Sequence, residues 1–502
     1  MKRITIILVL LFMSQQLFSN TITVGNLGDY PNLNGAADVA MPGDTIKILE
    51  GVYSGGLWIN KLCGEEDKRI VIIAEKDKDV LFVGGNNAIQ FSDCCYMKIS
   101  GLQFREQKGN GVNIDDGGDY STPTHHIIIE NCIWHNIDAS GNNDELKLSG
   151  LDDFEIRNCL FLNGSPGGSL IDMVGCHRGI IENCRFENAG SNCIQAKGGS
   201  EGTVIRYNTF INGGQRSINI GGSTGEPYFR PLDAPYEAAN MLIHSNIFIG
   251  SVAPLAFVGA IQSKAINNTI VFPGKWAIRI LQENNNDGIS KCSNNEVTNN
   301  IFYLNANSVK PAINIGDKTQ PETFVFNNNL WFNADEPAWR NPNIPVEELN
   351  GIKGQDPLFF DSVSDFRLNA NSPAIGKGKK IDYAVLDFEG NAFKNPPSIG
   401  AFEGNPSIES IEDRNYFNTQ IVVFPNPCTE SFYIISPNVF SINNNFELID
   451  AKGGIVSKDL YSYIKINDFT SLITFMQKIP SGMYLLSFKT NYSSITKKIL
   501  ID

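Results

Sequence analysis

Cysteine is sparse in this chain. Ten in 502 residues are too few for a fold stapled by disulfides. No pair has CxxC spacing and no histidines partner them, which argues against a cysteine-ligated metal. Cys94–Cys95 and Cys176/Cys193 remain open as bridge candidates. Positive charge is also in deficit, with 40 basic against 54 acidic residues and a formal charge of −14. That balance excludes a phosphate-tracking nucleic-acid binder and suits a soluble protein able to hold cations. Long hydrophobic runs are missing too. After residue 20 no segment approaches the roughly eighteen apolar residues of a membrane-spanning helix. The one such run, ITIILVLLFM, follows Met1-Lys2-Arg3 and precedes SQQLFSN. Its shortness and flanks read as an export signal over residues 1–20, cleaved near Ser19 or Asn20.

What the chain has is a repeat. IIIENCIW, FEIRNCLF, GIIENCRF, TVIRYNTF, MLIHSNIF, KAINNTIV and EVTNNIFY share one pattern of aliphatics, a polar residue, then Cys or Asn before an apolar pair. With Cys132, Cys159, Cys184, Asn208, Asn246, Asn268 and Asn300 as equivalents, the spacings are 27, 25, 24, 38, 22 and 32. A unit of that size with insertions in its loops is one coil of a solenoid. Each unit contains short alternating or β-branched runs broken by Gly and Asn, so the coils are strands and turns. The leucine-rich LxxLxL signature is absent. The expected fold is all-β: a right-handed parallel β-helix over 21–405, with GNLGDYPNLNGAADVA capping its open end. Inward asparagines would stack as ladders, and the cysteines would be small buried members of the same column. The last coils are expected through FVFNNNLWF and DPLFFDSVSDFRLNANSPAIGKG.

Residues 406–420 read as a linker, and 421–502 as short strands of a small C-terminal β-sandwich. Pro425-Asn426-Pro427, the Asp450-Ala451-Lys452-Gly453 turn, Pro480-Ser481-Gly482-Met483-Tyr484 and the terminal Lys-Lys-Ile-Leu-Ile occur in order. This tail resembles the C-terminal sorting domain of type IX secretion. The resemblance implies a secreted or surface-attached product of a Gram-negative bacterium, with the type IX machinery as a partner.

Candidate chemistry lies where charges interrupt the coil strands. Alternation along DELKLSG, SLIDMVG and IQAKGG turns Glu145, Lys147, Asp172, Gln195 and Lys197 outward. Lys147 and Asp172 each stand twelve residues before their repeat cysteine, and Lys197 stands eleven before Asn208. One residue of slack in GGSEG would align the three as a column. A second column would hold Asn113, Glu145, Leu170, Gln195 and Asn219. Glycines 198, 199, 221 and 222 would leave room for a ligand. Two loops, STGEPYFRPLDAPYEAAN and GVNIDDGGDYSTPTHH, would wall a long cleft suited to a polymer.

Eliminating across a polyuronide requires a base beside a neutralised carboxylate. Lys197 is the first candidate for the base and Lys147 the second, since nearby cations can lower a lysine's pKa. Arg216 would hold the substrate carboxylate. Tyr228, Phe229, Arg230 and Asn219 would contact sugar, and Asp115, Asp116, Glu145 and Asp172 are the candidate ligands for Ca²⁺. Hydrolysis would instead use two carboxylates, Asp172 with Glu145 or Asp144. A non-catalytic adhesin or carbohydrate-binding solenoid is the third reading.

The stretch from PGDTIKILEGVY to MKISGLQF resembles the β-helical polysaccharide lyases related to alginate lyase and chondroitinase B. LKLSG, IDMVG, QAKGGS and INIGGSTG with YFRP resemble secreted proteins of the pectate-lyase-like superfamily. The resemblance implies a Lys or Arg base and Ca²⁺, though a full lyase motif has no residue-by-residue match. The expectation is a monomeric secreted enzyme acting on an extracellular acidic polysaccharide, by elimination before hydrolysis.

Overall fold

In the computed structural model, residues 19–76, 79–305, 309, 311–404, 422–424, 428–435, 446–451, 453–465, 470–489 and 494–501 are described. The export signal (apart from Ser19 and Asn20), the 406–420 linker, Pro425-Asn426-Pro427 and Lys452 fall outside these residues.

The chain winds as a right-handed parallel β-helix. Each coil gives one strand to each of three parallel sheets, which among the described residues contain 13, 10 and 12 strands. In the first complete coil, Thr45–Ile48, Gly51–Ser54 and Leu57–Asn60 supply the three in turn. Alternation decides the faces: Ile46 and Ile48 are fully buried while Lys47 between them points out. The helix Leu33–Ala37, capped by the Asn32 side chain, packs Leu33 and Ala36 over the open end. This shields edge groups that would otherwise template aggregation.

Stacked interior side chains hold neighbouring coils in register. Phe82, Phe104, Trp134, Phe161, Phe186, Phe210 and Phe248 form one continuous column, with centroids 4.7–5.8 Å apart. At one corner the repeat Cys or Asn points inward after a residue at positive φ, for example Asn158 at 55° and Asn267 at 51°. Asparagine tolerates that conformation better than most residues. Beyond Cys184 the corner becomes a ladder. Asn208, Asn246, Asn268 and Asn300 each donate through Nδ2 to Oδ1 of the next asparagine, at 2.9–3.1 Å, ending on Asn329. Glu348 accepts the last amide at 2.8 Å and so caps the ladder.

Two expectations are corrected. DPLFFDSVSDFRLNANSPAIGKG is not a coil: Phe359–Asp361 and Asp365–Leu368 pair antiparallel. The chain then runs back outside the 12-stranded sheet, where Ile399, Ala401 and Phe402 pack on Ile247, Val271 and Ile301. Asparagines at the corners, such as Asn267 donating to Ser398 O at 3.0 Å, tie it down. The disulfide joins Cys63 to Cys95, while Cys94, Cys176 and Cys193 are free and buried. The C-terminal unit forms two antiparallel sheets, of four and three strands among the described residues, around Phe432, Ile473, Leu486 and Ile499. No helix among the described residues is long and apolar enough to cross a membrane.

Candidate active site on the ten-stranded sheet

The outer face of the ten-stranded sheet carries the charged residues singled out in the sequence. Lys147 lies in strand Leu146–Ser149, Asp172 in Ser169–Val174 and Lys197 in Asn192–Lys197. Lys147 pairs directly with Asp172 across adjacent strands. Asp172 then pairs with Gln195, and Lys197 with Val174. Lys197 is therefore two residues further along the same face rather than in the same column. Its side chain leans back, and its ammonium stands 3.4 Å from Asp172 Oδ2. Lys147 Nζ donates to the same oxygen. It also stands 3.6 Å from Asp144 Oδ2.

This makes a four-residue cluster with two layers. The lysine side chains keep 20% and 14% of their exposure, while Asp144 and Asp172 keep 1% each. The cations form the accessible surface and the carboxylates lie beneath. Burial, then the charge of Asp172, pushes the Asp144 carboxyl up to about 7. Burial alone would press Lys147 down, but Asp172 and Asp144 outweigh it and hold Lys147 above the ordinary lysine range. The two carboxylates thus favour the charged form of Lys147. Asp172 Oδ1 has no hydrogen-bond partner.

The loop after Gly221 forms the adjoining wall, and the reason is Glu237. Fully buried, it accepts the amides of Gly198 at 3.0 Å and Thr224 at 2.7 Å. It also accepts Thr224 Oγ1 and Asn284 Nδ2, both at 2.7 Å. One carboxylate thus binds the residue after Lys197 to two loops. Nothing in APYEAAN signals this role. The glycines serve the loop rather than a ligand: a Cβ on Gly199 would meet Arg230 O at 2.4 Å, and one on Gly175 would meet Arg230 Cβ at 2.6 Å. Gly222 alone faces the cluster, where a Cβ would meet Gln195 Nε2 at 2.8 Å and Lys197 Cδ at 3.4 Å.

Several expected ligand contacts turn out to be internal. Phe229 is buried. Arg230 is buried as well and anchors the loop through Asp152 at 2.7 Å and Gly175 O at 2.9 Å. Tyr228 remains exposed. The two loops expected to flank a cleft leave the same edge of the sheet and touch, with Tyr120 Oη donating to Pro227 O. Asn219 is buried and accepts Arg216 Nη1 at 2.9 Å, while Arg216 Nη2 pairs with Glu283 at 2.5 Å. Arg216 is thus engaged by a carboxylate of its own chain.

The four expected calcium ligands do not converge. Asp115 accepts Asn113 Nδ2 at 2.9 Å and Gly117 N at 3.0 Å. Asp116 binds Gly118 N at 3.0 Å, Asp172 is committed to the lysines, and Glu145 turns inward. Among the described residues no three His, Cys, Asp or Glu side chains are grouped to hold a metal. The residues present do not fit a Ca²⁺ site. Glu145 is wholly buried beside the Leu162 backbone and the Cys193 thiol, and neither oxygen has a hydrogen bond. Burial raises its pKa well above the ordinary range. Alternation misplaced Glu145 because the strand begins only at Leu146, after a bend.

Residues 87–271 match the family model for a right handed beta helix region, and residues 422–502 match that for a secretion system C-terminal sorting domain. Among solved structures, alginate lyase from Paenibacillus sp. str. FPU-7 is similar at 18% identity and TM-score 0.42, covering 59% of this chain and 97% of its own. XylC, solved in complex with xylose, is similar at 11% and TM-score 0.46, covering 76% and 98%. The catalytic domain of a GH87 α-1,3-glucanase in complex with nigerose is similar at 11% and TM-score 0.36, covering 61% and 62%. Likenesses of this degree carry nothing about chemistry. No curated protein matches the chain. The protein is a right-handed β-helix with a C-terminal sorting domain, exported by type IX secretion and released or held at the cell surface.

Proposed function

We propose that the Lys147–Asp172–Lys197–Asp144 cluster is the active centre of an enzyme that cleaves an acidic extracellular polysaccharide by β-elimination. One observation carries this reading: two lysines converge on a single buried carboxylate and keep more exposure than it does. A uronate unit laid on this face meets cations first. Lys147, held charged, stabilises the negative charge that develops on the uronate carboxylate. Lys197 takes the proton from C5 as the general base. The C4–O bond breaks as the C4=C5 double bond forms, and the departing oxygen regains a proton from Lys197 or from water. Asp172 lies between the two lysines and orients both. No step needs a metal.

The unequal carboxylates favour hydrolysis as a second reading. Asp144 is pushed up to about 7 beside Asp172, and a carboxyl that keeps its proton near neutrality can serve as a general acid. Both carboxylates, however, lie beneath the lysines, so a glycosidic bond reaches them only if the lysines move aside.

The test is ultraviolet absorbance of unsaturated chain ends on a panel of polyuronides, with and without chelator. Elimination predicts absorbance that chelator leaves unchanged and that Lys197→Ala abolishes. New reducing ends without absorbance would establish hydrolysis instead. Binding without cleavage would leave the solenoid as an adhesin.

A further inference from the structure

The outward column that holds Lys147 and Asp172 continues past the cluster. It runs through Gln195, Asn219 and Ala256 to Arg279 and Asn314. Strands lie about 4.8 Å apart, so Arg279 stands roughly 20 Å from Asp172 along the solenoid axis. Asn219 and Ala256 between them are buried. A chain running from the cluster to Arg279 would pass over the Arg216–Glu283 pair.

Arg279 is a half-buried cation with a fixed orientation and no carboxylate in ion-pair contact among the described residues. Its Nε donates to Asn314 Oδ1 at 3.0 Å. Its guanidinium carbon lies 4.4 Å from the centre of the Trp276 ring. Lys275 brings its ammonium to 4.2 Å from the same ring. Arg216 adds a third cation, and its charge, together with burial as the larger cause, presses Arg279 below the ordinary arginine range. Among the described residues Glu283 is the carboxylate that acts on Arg279, and it pairs with Arg216. Three cations against one anion is a local inversion in a protein of charge −14. An aromatic ring and an amide hold the guanidinium, which leaves its terminal nitrogens to a planar anion such as a carboxylate.

We propose that Arg279, oriented by Trp276 and flanked by Lys275 and Arg216, binds the carboxylate of a uronic-acid unit several sugars from the scissile bond. This rests on the reading of the substrate as an acidic polysaccharide, and it names where that polymer is held. Long chains engage both places and short ones only the cluster.

The experiment is affinity electrophoresis of the full chain through gels containing alginate, polygalacturonate, hyaluronate or neutral dextran. Wild type should be retarded by at least one polyuronide and not by dextran. Arg279→Gln can still donate to Asn314 but loses the charge, and should weaken that binding about tenfold without moving the unfolding midpoint. Added salt should weaken wild-type binding more than that of the variant. Equal retardation of variant and wild type, equal retardation by dextran, or no retardation by any polyuronide would each overturn the subsite. Arg279-dependent retardation without cleavage would uphold it and remove the elimination reading. With cleavage, Arg279→Gln should raise KM on polymer, leave kcat intact, and leave turnover of the shortest cleaved oligomer unaltered.

Discussion

The inner asparagine ladder and the outer charged cluster both join side chains from successive coils, yet only the ladder stacks equivalent residues, and the two differ in completeness. In the ladder each of the linking amides is used. Asn246 Oδ1 accepts both the backbone N and Nδ2 of Asn208, and Asn246 Nδ2 donates to Asn268 Oδ1 and to Ile205 O. No charge enters until Glu348 closes the end. The outer cluster is charged and its contacts are unfinished: two lysines share one oxygen, Asp172 Oδ1 lacks a partner, and burial pushes Asp144 up to about 7. A satisfied stack rigidifies, because every buried polar group has its partner. An unfinished one at the surface keeps capacity for a substrate.

That contrast can be broken from either side. The largest expected effect is on the outside. Lys197→Ala, and equally Lys197→Arg, should reduce elimination about a thousandfold, the usual range for a lost general base, with circular dichroism unchanged. On the inside, Asn246→Ala leaves two Asn208 donors without their acceptor and should cost roughly 3 kcal/mol in urea unfolding of the β-helix. Cys159→Ala, at the equivalent corner of an earlier coil, removes weak thiol contacts of 3.3 Å to Arg157 O and 3.8 Å to Ile129 O and should cost about 1 kcal/mol.

Asp144 sharpens the comparison through pH. Its folded-state pKa is raised from 3.8 to about 7, so the folded state binds its proton more tightly than the unfolded chain does. Its contribution to stability is full below about pH 4 and is lost as pH rises towards 7. Asp144→Asn should remove that part of the decline, seen as a flatter difference in unfolding midpoint between pH 4 and 7. The smallest effect belongs to its chain neighbour. Glu145 is buried without a hydrogen bond, and Glu145→Leu should stabilise the fold by about 1 kcal/mol at neutral pH, read from the same unfolding curves.

Much of the scaffold was legible because its signals are local and repeated. Aliphatic alternation and a Cys-or-Asn corner recur in each coil, so periodicity alone gives parallel strands, inward asparagines and an outward Lys147 beside Asp172. The register of Lys197 was not legible. Counting back from Asn208 suggested a coil one residue short, whereas Gln195 pairs with Asp172 and makes that coil one residue longer. Glycines 198, 199 and 202 at positive φ take up the difference. Arg279 did leave a trace, an arginine between inward Ile278 and Ile280, but its coil lacks the charged residue on the next strand that marks Lys147 and Asp172.

The amino-acid order by itself determined the solenoid, its capping helix, its buried columns and its route of export, since each depends on patterns read within one or two coils. Tertiary structure decided which charges meet. Whether two side chains on adjacent coils touch depends on the length of the turns between them and on loops that fold back from distant positions. Glu237 clasping Gly198, Arg230 reaching Asp152 and Arg216 turning to Glu283 are contacts of that kind, and spacing along the chain does not encode them.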